Sequence, residues 1–152
     1  MRTIAEYLPE HPFFHGLDAR WVGLVTGCAT NAHLHPGDHL FPEGGAADTF
    51  FVIRRGRVAI EAPTPTGPCV IQTAHEGDVV GWSWLVAPYR WTMDARATEE
   101  TSLISFDGAC LRGKCAEDPE LGYALLQRVV RVMSAHVHSA RVRLLDLYGN
   151  PS

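Results

Sequence analysis

The chain has 152 residues, 46% hydrophobic and 20% charged, with 13 basic against 17 acidic side chains and a net charge of −4. That length fits one domain able to bury a core without staples, and the acidic balance argues against holding nucleic acid by bulk charge. No run approaches the ~20 apolar residues of a membrane span and the first ten residues lack a signal-peptide core. The four cysteines (Cys28, Cys69, Cys110, Cys115) form no CxxC pair, which points to a cytoplasmic protein with reduced, structural thiols.

Ile4, Leu8, Phe13, Phe14 and Leu17 open the chain as an apolar stretch broken by Pro9 and Pro12. Leu17-Asp18-Ala19-Arg20-Trp21 starts a helix with Asp18 as candidate N-cap, and Trp21, Leu24, Val25 and Cys28 follow at helical spacing. From about Ala32 short β-prone runs take over: His33–His35, His39–Phe41, Thr49–Ile53, Arg57–Glu61, Cys69–Ala74, Ala95–Thr98 and Ser102–Ser105. Turn signals separate them, at Pro36-Gly37-Asp38, Glu43-Gly44-Gly45, Arg55-Gly56, Pro63–Pro68 and Glu76-Gly77-Asp78. Short strands at this rhythm predict a jelly-roll β-barrel, with Pro63–Pro68 as an exposed hairpin loop.

After Asp107 the pattern turns helical. Asp118-Pro119-Glu120 combines a cap, a proline at the first helical position and an acid in the first turn, and Gly149-Asn150-Pro151 is a stop. Between them Tyr123, Leu126, Val130, Met133, Val137, Ala140, Leu144 and Leu147 recur every 3 or 4 residues, a heptad seam. Its first two turns are expected on the barrel and the remainder in a symmetric helix–helix dimer. Leu125, Val129, Val132, Val142 and Leu145 would widen the stripe to face both. The predicted class is therefore α+β, mainly β: N-terminal helices over 1–31, a barrel over 32–106 and C-terminal helices over 107–149.

Pro36-Gly37-Asp38, Phe41-Pro42-Glu43-Gly44, Phe50-Phe51-Val52-Ile53, Gly56-Arg57-Val58, Gly77-Asp78-Val79-Val80-Gly81 and Ala95-Arg96-Ala97 stand in an order that resembles the cyclic nucleotide-binding domain. Catabolite activator protein, protein kinase A regulatory subunits and gated channels share that domain, and the similarity covers nearly the whole chain. The resemblance implies a ligand cassette at Val80, Gly81, Trp82, Ser83, Trp84, Arg90, Trp91 and Thr92. In the family a glutamate follows the cassette glycine and binds the ribose hydroxyl, and an arginine ten residues past that glycine pairs with the phosphate. Here Trp82 and Trp91 hold those two positions, and Arg90 comes one residue early, which on a strand sends its side chain to the opposite face.

A buried arginine–phosphate contact is worth ~2–5 kcal/mol, so tight cAMP or cGMP binding is not expected. Trp82, Trp84, Tyr89 and Trp91 have two readings. They fill a vacated pocket, or they line one for a different flat or anionic ligand with Arg90 as charge partner.

His33, His35 and His39 with Glu43 loosely resemble the metal motif of cupins, and alternation places His33 and His35 on one strand face. The spacing to Glu43 is too long for that motif, and His75 is the one later candidate, so no metal site is expected. Haem held by Cys69 and His75 would follow from a resemblance to haem-binding barrel relatives. His136 and His138 are placed near the dimer seam. Arg128, Arg131, Arg141 and Arg143 make the helix locally basic and are expected to form ion pairs or to meet a protein.

No nucleophile–base–orienter set is apparent, and the sequence ends directly after the helix, where transcription factors of the resembled family continue into a DNA-binding domain. The expectation is a stand-alone bacterial regulatory or assembly module. It is homodimeric and non-catalytic, with no cofactor, no nucleic acid and no membrane. The resemblance implies a protein partner, an oxidoreductase or hydrogenase subunit. The alternatives are a small-ligand sensor using the barrel pocket and a cupin-like metalloprotein.

Overall fold

Strand burial alternates in and out along much of residues 29–107, and two antiparallel sheets result. They are seen in a computed structural model that describes residues 3–41, 49–62, 64–81 and 94–149. Helix α1 (Ile4–Tyr7), a 3-10 turn (Leu8–Glu10) and α2 (Ala19–Thr26) precede the sheets. The strands are β1 (Ala29–Leu34), β2 (His39–Phe41), β3 (Thr49–Arg55), β4 (Val58–Ala62), β5 (Cys69–Ala74), β6 (Val79–Val80), β7 (Asp94–Ala97) and β8 (Thr101–Asp107). Helices α3 (Gly108–Glu117) and α4 (Pro119–Gly149) close the chain. Among the described residues one sheet runs β1-β8-β3-β6 and the other β2-β7-β4-β5, the jelly roll expected.

The element starts follow local chemistry. Asp18 caps α2 by accepting from the Arg20 N–H at 3.0 Å, and Asp107 does the same for α3 through the Cys110 N–H. Thr64 and Gly67 close the exposed β4–β5 turn by reciprocal backbone hydrogen bonds. Strand β1 starts four residues before the predicted His33, because β8 pairs with it along its whole length, from Ala29↔Phe106 to Leu34↔Thr101.

The core has two parts. Between the sheets, Ile53, Val58, Ala74, Val80, Ala95 and Leu103 are buried together. Under the helices, Phe13, Phe14, Phe50 and Phe106 form a chain of ring contacts with centroids 4.9–5.6 Å apart. Against them pack Leu8, Val25, Leu111 and Leu121. In α2 the inward positions are Val22 and Val25, whereas Leu24 is 38% exposed. Trp21 is half-buried, and its indole N–H donates to Asp118 at 2.9 Å, tying α2 to the start of α4.

Two sequence expectations change. Cys28 and Cys110 are not free thiols but a disulfide, with Cα atoms 5.7 Å apart across 82 residues. The β1–β8 ladder brings them together: Ala29 pairs with Phe106, and the Asp107 N–H donates to the Cys28 carbonyl. Cys69 and Cys115 remain free.

The second change concerns α4, whose 31 residues span about 46 Å. The face that packs on the barrel is Leu121, Leu125 and Val129, with Val132 beside them. The seam lies about 100° further round the helix. Tyr123 and Leu126 are therefore exposed and do not pack on the barrel in the first turns. Val142 and Leu145, predicted to reach the barrel, are exposed as well, at 42% and 68%.

Candidate functional site

The barrel interior is the first candidate. Its described wall is apolar, formed by Ile53, Val58, Val80, Ala95 and Leu103 with Leu34, Leu40, Phe51 and Ile60 packed at the edges. Strand β6 delivers buried Val80 and then Gly81, whose φ of +86° is a conformation that favours glycine. Gly81 directly follows β6, at the position where the resemblance places the start of the cassette. Trp82, Ser83, Trp84, Tyr89, Arg90, Trp91 and Thr92 lie outside the described residues, as does Glu43.

Arg96, on β7 beyond the cassette, is paired with a carboxylate of its own sheet. It faces away from buried Ala95 and Ala97 and donates to Glu61 on neighbouring β4 at 2.9 Å, an interaction that raises its pKa.

The interface between barrel and α4 is the second candidate. Gln72 on β5 meets the His136 Nε2 at 2.8 Å, and burial lowers the pKa of that imidazole. His136 therefore faces the barrel and not the seam expected for it. His138 lies on the seam side, where it lines a shallow groove with Tyr123, Leu126, Val130 and Ser134. The basic residues of α4 find backbone oxygens: Arg128 donates to the His15 and Ala124 carbonyls at 3.0 and 3.2 Å, and Arg143 donates to the Ile71 carbonyl. Two of the four arginines expected in ion pairs thus anchor the helix to the N-terminal segment and to β5.

A third group sits on the outer surface of the first sheet. His33 and His35 both converge on Glu100, at 2.5 Å from His33 Nε2 and 2.9 Å from His35 Nδ1. The hydrogen bond to Glu100 raises the His35 pKa, and the same contact holds the Glu100 carboxyl below its usual range. His39 and His75 are not in this group, so the third donor is a carboxylate the sequence did not single out. It was missed because Glu100 is 65 residues from His35. Strand alternation identified the histidines; the β1–β8 pairing that supplies the glutamate was not legible.

His11 was also missed. It is 1% exposed, its Nδ1 accepts the Phe13 N–H at 3.1 Å, and desolvation lowers its pKa to about 4. Its position between Pro9 and Pro12, in a segment without regular periodicity, gave no sign of burial.

Comparisons with known proteins bear on the first candidate. A family model described as the cyclic nucleotide-binding domain matches residues 32–118. The CRP-like cAMP-activated global transcriptional regulator of Mycobacterium tuberculosis is 25% identical over 143 residues, which are 93% of this chain and 62% of the regulator. The chain thus spans less than two thirds of that relative. A crystal structure of a cyclic nucleotide-binding protein from Geobacter metallireducens GS-15 superposes with a TM-score of 0.81 at 25% identity, covering 91% of this chain and all of the other. A cyclic nucleotide-binding domain from Methylobacillus flagellatus KT gives a TM-score of 0.79 at 19% identity, over 94% of this chain and 81% of that one. No helix among the described residues is long and apolar enough to cross a membrane.

Proposed function

The chain belongs to the cyclic nucleotide-binding domain family, and on that premise we propose that it is a non-catalytic regulatory module whose barrel is coupled through α4 to a second copy of the chain. The observation that carries this reading is the two-faced character of α4. Leu121, Leu125 and Val129 fasten its first half to the barrel, while Val130, Met133, Val137, Leu144 and Leu147 stay 40–70% exposed at heptad spacing. An apolar stripe of that length on a helix standing beyond its own core calls for a partner surface, and a second α4 supplies the matching seam. Val137→Asp would place a charge in the seam. Light scattering should show a dimer for the wild type and a monomer for the variant. A wild-type monomer at micromolar concentration overturns the proposal, and co-purification with an oxidoreductase subunit in place of self-association puts a heterologous partner on that face.

For the ligand, the reading rests on the sequence of the cassette. Trp82 and Trp91 hold the two positions where the family has its glutamate and arginine, and an indole offers a donor but no acceptor. Titration calorimetry should give dissociation constants for cAMP and cGMP weaker than ~100 μM, that is, less than about 5.5 kcal/mol of binding. Micromolar cAMP binding that disappears in Arg90→Ala would replace this reading with a sensor in which the shifted arginine meets the phosphate.

A further inference from the structure

We propose that His33, His35 and Glu100 form a surface binding site for a divalent transition-metal ion, with Zn2+ the best match to the donors. The placement follows from strand register. His33 lies on β1 and His35 one residue past its end, two positions apart and both exposed, so the extended chain gives them one face. Leu34 pairs with Thr101 in the antiparallel β1–β8 ladder, so the next step sets His35 opposite Glu100 and the preceding one sets His33 opposite Ser102. Two imidazoles at the end of β1 and a carboxylate just before β8 thereby meet, 65 or more residues apart in sequence.

The distances suit an ion. One ligand atom from each residue lies within 4.8 Å of the other two. Zinc takes imidazole nitrogen and carboxylate oxygen at roughly 2.0–2.2 Å in tetrahedral geometry, which sets its donors about 3.3 Å apart. The Glu100 carboxylate stands 2.5 and 2.9 Å from the two ring nitrogens, so it need withdraw by less than about 1 Å for an ion to take the central position. Two histidines and one glutamate leave the fourth position to water or to a donor from another molecule.

The backbone that carries the donors is fixed. The His35 N–H donates to Asp38 at 2.9 Å. Thr101, beside Glu100, donates from its hydroxyl to the Glu99 carbonyl at 2.9 Å and lies 3.2 Å from the Arg57 carbonyl. Gly56 packs so closely beneath this turn that a Cβ there would fall 2.6 Å from the Glu100 carbonyl oxygen. The donors therefore do not have to be gathered from mobile chain, which lowers the ordering cost of binding. The site lies on the outside of the barrel and does not depend on what the interior holds.

The test uses the full chain without an affinity tag, stripped of metal with a chelator and titrated with Zn2+ by calorimetry. Co2+ serves as a spectroscopic probe of tetrahedral coordination. The expected result is one equivalent of Zn2+ per chain with a dissociation constant of ~10 μM or tighter. His33→Ala and Glu100→Gln should each weaken binding at least ~tenfold, by analogy with the smaller losses seen when supporting groups are removed. His15→Ala, an exposed histidine outside the group, should leave binding unchanged. A second readout is thermal: Zn2+ should raise the unfolding temperature of the wild type and not of the His33→Ala, His35→Ala double variant. All of these side chains are exposed, so the variants should fold. The proposal is overturned by a wild type with no saturable Zn2+ heat up to millimolar concentration. It is equally overturned by binding that His33→Ala and Glu100→Gln leave intact, which would place the ion elsewhere, with the exposed Cys69 thiol as the next candidate.

Discussion

His11 shows how one side chain can set an acid limit on this fold. In water its imidazole would titrate near 6.5, but burial lowers its pKa to about 4, with the Ile53 carbonyl and Asp78 offsetting the shift in part. The sign follows from proton counting. Between those two values the unfolded chain holds a proton on His11 and the folded chain does not, so the contribution of His11 to stability falls as pH drops from about 6.5 to about 4 and is level below that. The loss is on the order of 3 kcal/mol for a ring this well buried. Denaturant unfolding of the wild type across that window should show the decline. His11→Asn keeps an acceptor for the Phe13 N–H while removing the titration, so its stability should be lower at pH 7.5 but change less on acidification. An equal pH dependence in both proteins would assign the acid sensitivity to other groups. The sequence could not show this, because burial of a polar ring in an irregular segment is decided by the barrel end it lies against, not by local periodicity.

At the scale of elements, much more was legible. Strands β2 and β5 fall on the predicted runs, and Asp18 and Asp118-Pro119 mark helix starts as capping chemistry requires. The long helix and its 3–4 seam were readable because that period needs no knowledge of the rest of the fold. Which face of the helix meets the barrel was not readable, since Leu125 and Leu126 are both leucines one position apart and only packing tells them apart. That difference gives a paired prediction. Leu125 is 2% exposed and Leu144 is 56% exposed. Leu125→Ala should destabilise the folded chain by about 2–5 kcal/mol through the cavity it leaves. Leu144→Ala should leave the stability of an isolated chain nearly unchanged and weaken self-association instead. Equal losses of stability at the two sites, measured at a concentration where the wild type is monomeric, would contradict the two-faced reading of α4.

For the molecule as a whole, family and jelly-roll architecture could be read from glycine-punctuated strands in a recognisable order, whereas the groups assembled by long-range pairing could not. Cys28 with Cys110, and His33 and His35 with Glu100, are joined by the same β1–β8 ladder, and no motif of adjacent residues announces either. The disulfide has a topological consequence. Together with the chain from residue 28 to residue 110 it makes a covalent ring that contains every described strand, and α1, α2 and α4 leave that ring as two open tails. A single cut anywhere in the ring opens it without releasing a piece. Protease cleavage in the exposed Thr64–Pro68 turn should therefore yield one species on a non-reducing gel and two on a reducing one. Two fragments under both conditions would show that the ring is not closed in the purified protein. An oxidised barrel can thus be nicked and still keep both halves of its sheets together, a tolerance to backbone scission that lasts only as long as one sulfur–sulfur bond.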